Sequence, residues 1–356
     1  MFKTHTHTVI ASVLKPITDP RMDSKLRQLI PKSWGSVTIV GKKVSKFPPT
    51  VHYKELFNFK RLSVLRIFVE FTFLYYLLKS RPKYLIVCTY ELLLAAIVYK
   101  YILKWIQRLT LQNNSQNHIF IIYDIQENYA LNVKSGELYK KWIRNFLAFL
   151  IETKEKCLVP FCDHVLIAEK CYTEELSFLP KNCTIIENKA HDSLLNYKKE
   201  KQKNQYCITG TLGAAYGTLE AIAYFNTINI SNQHHLTIAG YCADEHYAKK
   251  IIEACSRLKN CTVWGITEPV LQEKIIEIIA ESSYSLQLYN LQNQSFLKKI
   301  PTKFYECLIL NTPIICSENQ FWSQFLARYN SFPLEKNLLD ELIFKYPTLD
   351  KLTNIK

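Results

Sequence analysis

Short apolar runs, each closing on polar residues or glycine, alternate along this chain with stretches in which apolar residues recur at helical spacing. In the first half the runs are Thr8–Val13, Ser36–Gly41, Tyr84–Cys88, the core of His118–Asn128, Val165–Glu169 and Thr184–Glu187. A short continuous apolar run suits a strand buried on both faces, as strands are in parallel sheets covered by helices. Helical spacing is clearest over Leu62–Leu78 and Glu91–Trp105. From Lys189 to Gln205 the chain turns polar and rich in Lys and Asn, the composition of a linker. A second alternation follows, with runs at Tyr206–Gly210, Leu236–Gly240, Thr262–Gly265, Tyr284–Leu288 and Ile314–Ser317, then helical patterns at Trp322–Arg328 and Leu334–Phe344. The pattern predicts an α/β chain of two parallel-sheet domains: residues 1–190, a linker at 191–205, and residues 206–356.

The long apolar segment Leu62–Leu78 is interrupted by Arg66 and Glu70. It falls short of the roughly 20 uninterrupted apolar residues that a membrane span needs, so it reads as a buried domain helix. Charge adds a different constraint. The chain carries 45 Lys and Arg against 31 Asp and Glu, a net +14 that calls for an anionic partner. Nucleic acid is not expected, because no recognisable nucleic-acid module accompanies the charge. An anionic membrane surface is a candidate, since Leu62–Lys79 and Glu91–Lys104 combine apolar and lysine residues. The eleven cysteines include no CxxC pair, and their odd number suits reduced thiols in a cytosolic protein. The basic start lacks the apolar core and cleavage site of a secretory leader, so secretion is not expected.

Ligands of parallel sheets gather at the carboxyl ends of strands, where Asp124, Glu127, Asn128 and Glu169 fall. Glu127 and Asp124 are placed to orient a substrate hydroxyl or accept its proton. A carboxylate there serves equally well as a helix cap. Glycine is scarce, yet Gly210, Gly213 and Gly217 fall in one stretch between a strand and a helix. Such a loop either allows backbone to approach a phosphate or simply makes a turn that needs positive φ. Pro301–Ser317 reads as a short helix, a turn and a strand: Pro301 suits the first helical position and Asn311 a left-handed end. Lys303 and Glu306 share a face of that helix, either as a solvated pair or as a cation for a diphosphate beside a carboxylate for a sugar diol. No His, Cys or Asp cluster has metal-ligand spacing, and neither a metal nor a cofactor is expected.

The segment Pro301-x-Lys303-x-x-Glu306, followed by an apolar turn, Pro313 and a buried strand, resembles the nucleotide-ribose segment of family 4 glycosyltransferases of the GT-B fold. Further segments resemble a bacterial branch of that family, in order along the chain: Ser12–Met22, Tyr123–Tyr129, Ala168–Tyr172 with Ile186–Lys189, and the glycine loop Thr209–Thr218. The resemblance implies two Rossmann-like domains with the active site in the cleft between them, and a nucleoside diphosphate sugar as donor. By it Glu306 holds the donor ribose, and Gly210 and Thr211 face the diphosphate together with Gly213 of the same loop. It further implies transfer with retention, by a front-face route, to an acceptor hydroxyl of a surface polysaccharide or lipid-linked oligosaccharide at the inner face of a cell membrane.

Two departures matter. Upstream of the ribose-binding glutamate, where the family carries an acid that touches the donor sugar, this chain has Lys298. The family's Arg…Lys pair for the diphosphate is also missing from Thr209–Glu220, so Lys303, with Arg21 or Lys298, would have to supply the positive charge. No Asp-x-Asp pair of metal-dependent glycosyltransferases is present near the cleft acids, which agrees with a metal-independent reaction. A nucleotide-sugar epimerase of similar fold, or a non-catalytic scaffold of a glycan assembly complex, are the alternative readings.

Overall fold

A computed structural model describes residues 7–17, 19–42, 52–57, 66, 68–109, 118–136, 140–292, 297–330 and 332–353. The chain divides into two compact units: Met1–Asn188 with Lys345–Lys356, and Lys189–Phe344.

The first unit is built on a seven-stranded parallel sheet: β1 (His7–Pro16), β2 (Ser36–Lys42), β3 (His52–Phe57), β4 (Tyr84–Val87), β5 (Phe120–Ile125), β6 (His164–Ile167) and β7 (Thr184–Ile185). Their order is β3-β2-β1-β4-β5-β6-β7, so the direction of winding reverses between β1 and β4. The apolar runs lie where the sheet needs them: Val9, Ile10, Ala11, Ile86, Val87, Ile121 and Ile167 are wholly buried. Its longer helices are α1 (Val69–Ser80), α2 (Leu93–Leu109), α3 (Tyr129–Ser135) and α4 (Lys141–Leu158). Arg81, at φ 51°, ends α1 in the left-handed conformation. Asn128 caps α3, its side-chain oxygen accepting from Leu131 N at 3.0 Å.

The second unit carries a five-stranded parallel sheet of β8 (Gln202–Thr211), β9 (His235–Tyr241), β10 (Cys261–Ile266), β11 (Ser282–Gln287) and β12 (Ile314–Cys316), in the order β10-β9-β8-β11-β12. Here the reversal falls between β8 and β11. Four helices connect these strands: α5 (Thr218–Ile228), α6 (Glu245–Ser256), α7 (Gln272–Glu281) and α8 (Thr302–Ile309). Asn311 takes φ 55° just beyond α8, as its sequence position suggested, while Pro301 sits one residue ahead of the first helical position.

Several expectations are corrected. The polar stretch 191–205 is no separate linker: Asp192–Tyr197 forms a 3-10 turn and β8 already starts at Gln202, both within the second unit. Residues 345–356, expected in the second domain, belong to the first unit, where the Tyr346 hydroxyl accepts from Glu187 N at 3.0 Å. β3 was not foreseen, because an edge strand of sequence His-Tyr-Lys-Glu-Leu-Phe buries little and needs no continuous apolar run. The expected helix Leu62–Leu78 is helical from Val69, and residues 62–65 and 67 lie outside those described.

Candidate functional site

In the second unit the reversal point brings the end of β8 beside the end of β11, and α8 follows β11. Open α/β sheets bind ligands in the crevice at such a point. Gly210, next to last in β8, sits at φ +100°, a conformation that L side chains avoid, and the reason is overhead: a Cβ there would lie 2.7 Å from Lys303 Cε. Lys303 is thus laid across the backbone of the strand end. Its ammonium donates to Glu306 Oε2 at 2.5 Å, and Gln272, the first residue of α7, donates through Nε2 to Glu306 Oε1 at 3.2 Å. Glu306 is only 6% exposed, one turn into α8, with two donors aimed at its carboxylate.

The loop is closed from the other side. Gly217, at φ +59°, packs so tightly that a Cβ would meet the Leu288 carbonyl oxygen at 1.5 Å. That contact pins the start of α5 to the chain leaving β11. Thr218 Oγ1 accepts from Gly213 N at 3.0 Å, so the Gly213 amide shapes the loop and is already engaged. Thr211 is exposed at the strand end. The structure therefore brings Gly210, Thr211, Gly213, Lys303 and Glu306 together about the end of one strand of one unit. Gln272 belongs with them and had no sequence signal, since its role depends on the packing of α7 beside α8. Lys298 is exposed in the turn ahead of Pro301.

The first unit treats its candidates differently. Arg21 and Asp124 form a buried ion pair, Nε donating to Oδ2 at 2.8 Å and Nη2 to Oδ1 at 2.5 Å. Arg21 Nη1 donates to the Ile186 carbonyl at 2.8 Å and to Asn188 Oδ1 at 2.9 Å, and Gln126 Nε2 reaches Asp124 Oδ2 at 2.9 Å. Asp124 is 0% exposed and Arg21 5%. This corrects both expectations: burial and inward-facing hydrogen bonds, four of the five Arg21 N–H donors among them, turn Asp124 and Arg21 into the unit rather than toward a substrate hydroxyl or a diphosphate. They fasten the end of β5 to the first loop and to the chain leaving β7.

Glu127 is the candidate acid that stays open to solvent, its side chain 43% exposed at the end of β5. Lys15, at the end of β1, donates to its Oε1 at 3.3 Å, and Asn132 Nδ2 donates to its Oε2 at 2.9 Å. The Lys15–Glu127 pair spans the end of β4, where the sheet reverses. Lys15 lies inside the Ser12–Met22 segment, but its partner came to light only with the strand order.

A half-open cavity of about 370 Å³ lies beside α3 and α4, lined by Asn128, Lys134, Phe149, Glu152, Glu155 and Glu175 among others. Burial pushes the Glu155 carboxyl up to about 7, against the opposing effect of the Tyr123 hydroxyl, which donates to its Oε1 at 2.6 Å. Among the described residues no three His, Cys, Asp or Glu side chains come together as a metal site would require.

No family model and no curated protein sequence matches the chain. Solved structures match it by shape. Sucrose-phosphate synthase of Thermosynechococcus elongatus is 13% identical, at a TM-score of 0.58 over 88% of this chain and 81% of the other. The catalytic domain of starch synthase IV of Arabidopsis thaliana, bound to ADP and acarbose, is 11% identical at 0.57 over 98% and 91%. The Anabaena protein HepE, in complex with UDP and glucose, is 9% identical at 0.53 over 89% and 82%. Each likeness extends over both sheets, and this chain has the GT-B fold of those glycosyltransferases.

Proposed function

We propose that this protein is a glycosyltransferase that takes a sugar from a nucleoside diphosphate donor bound in the crevice of its second unit. One observation carries the reading: Lys303 is held over the bare backbone of Gly210 while Glu306 lies buried behind it. Without a ligand the two side chains neutralise each other. A bound donor offers each a better partner, the diphosphate for Lys303 and the ribose diol for Glu306. Gln272 keeps the Glu306 carboxylate aimed while that exchange happens. The diphosphate is the leaving group, so a cation fixed beside it stabilises the charge that develops as the sugar departs.

In the first unit Lys15 and Glu127 are the groups we assign to the acceptor, with Glu127 orienting the attacking hydroxyl. The reaction retains configuration, the departing diphosphate helping to deprotonate the acceptor. The acceptor is the hydroxyl of a surface polysaccharide or lipid-linked oligosaccharide, and the reaction takes place on the cytoplasmic side of a membrane. No metal is assigned a role in this reading, in which the Lys303 ammonium beside the strand end balances the charge of the diphosphate.

Calorimetry with UDP, GDP, ADP and dTDP tests the donor site. At least one should bind, and Glu306→Ala should weaken it by about 1–3 kcal/mol, the worth of charge-assisted hydrogen bonds to a diol. Lys303→Ala should weaken the diphosphate more than the nucleoside. Undiminished binding in a folded Glu306→Ala protein would refute the assignment. Loss of transfer in excess EDTA, restored by magnesium or manganese, would refute the metal-free mechanism. Release or rearrangement of the donor with no acceptor present would favour the epimerase.

A further inference from the structure

Three helices of the first unit are apolar on the side turned to solvent. α1 buries Val69, Phe73 and Leu77, yet its opposite side carries Phe71 and Tyr75, 69% and 70% exposed, with Leu78 beside them. On α2, exposed Leu94, Tyr101, Trp105 and Leu109 fall within roughly 80° of one another at helical spacing. On α4, exposed Trp142, Phe146, Phe149 and Leu150 fall within roughly 100°. A surface helix ordinarily turns a polar face to water. Single exposed apolar residues need no explanation, but stripes of large aromatics mark an interaction surface.

The stripes lie on one side of the sheet. The connections from β3 to β4, β4 to β5 and β5 to β6 all advance in the same direction, and right-handed crossovers then place their helices on a common face. Side-chain contacts agree. Glu70 of α1 is ion-paired with Lys154 of α4, and the Tyr101 ring of α2 meets Phe161, just past α4, at 6.2 Å between centroids.

Charge identifies the occupant. The exposed charged residues of these helices are five cations, Lys79, Lys104, Arg108, Lys141 and Lys156, against one acid, Glu152. A second copy docking by a two-fold axis would bring this basic face against itself. A lipid surface does the reverse: anionic headgroups meet the cations while Trp, Tyr and Phe enter the boundary between headgroups and acyl chains. Among the described residues no helix is long and apolar enough to cross a membrane, so the contact lies along its surface. We infer that the outer face of α1, α2 and α4 docks on an anionic membrane surface. This placement is independent of the transfer reaction and would stand if that reading failed.

The full chain is mixed with vesicles of phosphatidylcholine alone and of phosphatidylcholine with phosphatidylglycerol in equal parts, and binding is followed by flotation. Binding to the anionic vesicles should be about tenfold tighter or more, and should fall as salt rises. The double variant Trp105→Ser, Phe146→Ser should lose about tenfold or more while keeping the wild-type melting temperature and nucleotide affinity. Lys104→Glu with Lys141→Glu should lose the preference for anionic lipid. Equal binding to both vesicles, or none to either, overturns the inference. So does sedimentation showing a dimer that the Trp105→Ser, Phe146→Ser variant dissolves, since that face would then be covered by a second copy.

Discussion

Asp124→Ala should destabilise the first unit rather than alter any chemical step. The carboxylate is fully buried and accepts from Arg21 Nε, Arg21 Nη2 and Gln126 Nε2 at 2.8, 2.5 and 2.9 Å. Removing it leaves a buried guanidinium without its counter-charge, which costs about 3–5 kcal/mol. That is a large share of the roughly 5–15 kcal/mol by which domains are stable. For a unit of roughly 200 residues, an unfolding entropy of about 2.1 cal/mol/K per residue turns the loss into a fall of about 7–12 °C in melting temperature. Thermal and urea unfolding followed by circular dichroism would measure it. The double variant Arg21→Met, Asp124→Leu should lose less, because two apolar side chains fill the space and leave no orphan charge. Nucleotide binding belongs to the other unit and should survive below the melting transition. An Asp124→Ala protein within about 1 kcal/mol of wild-type stability, yet inactive, would refute the structural role and return Asp124 to the reaction.

Gly210→Ala should weaken the nucleoside diphosphate that binds about tenfold or more, equivalent to about 1.4 kcal/mol, because the new Cβ meets Lys303 Cε at 2.7 Å and the backbone is held at φ +100°; calorimetry against that diphosphate and its nucleoside should show the larger loss for the diphosphate. Glu127→Gln should lower turnover more than donor affinity if it orients the acceptor, a split that steady-state kinetics beside titration with the nucleoside diphosphate that binds would resolve. Glu155 holds its proton up to about pH 7 when folded, whereas an ordinary carboxyl gives it up near 4.5. The folded state therefore binds more protons in that window, and this stabilisation, present below about 4.5, is lost as pH rises to 7. Glu155→Gln should remove the slope and raise stability at pH 8 by up to about 3 kcal/mol, measured by urea unfolding across pH.

The alternation of apolar runs with helical spacing was enough to specify two parallel sheets, because a strand covered on both faces has to be apolar throughout. Thr8–Val13, Tyr84–Cys88 and Leu236–Gly240 all lie in or at the end of the strands they announced. Glycine scarcity made Gly210 and Gly217 legible as positions with special backbone, and both take positive φ. Lys303 and Glu306 were legible as a pair because helix geometry makes residues three apart neighbours, whatever surrounds them. What the chain could not disclose locally is which side chains meet across the sheet. Asp124 and Glu127 look alike in sequence, acids three apart at one strand end. Strand order gives the first to Arg21, 103 residues away, and the second to Lys15, 112 residues away, so one is buried and the other open. Gln272 became part of the site, and residues 345–356 part of the first unit, for the same reason. Periodicity records whether a residue faces a core or water, while the identity of its partner is a property of topology, which only the folded chain possesses.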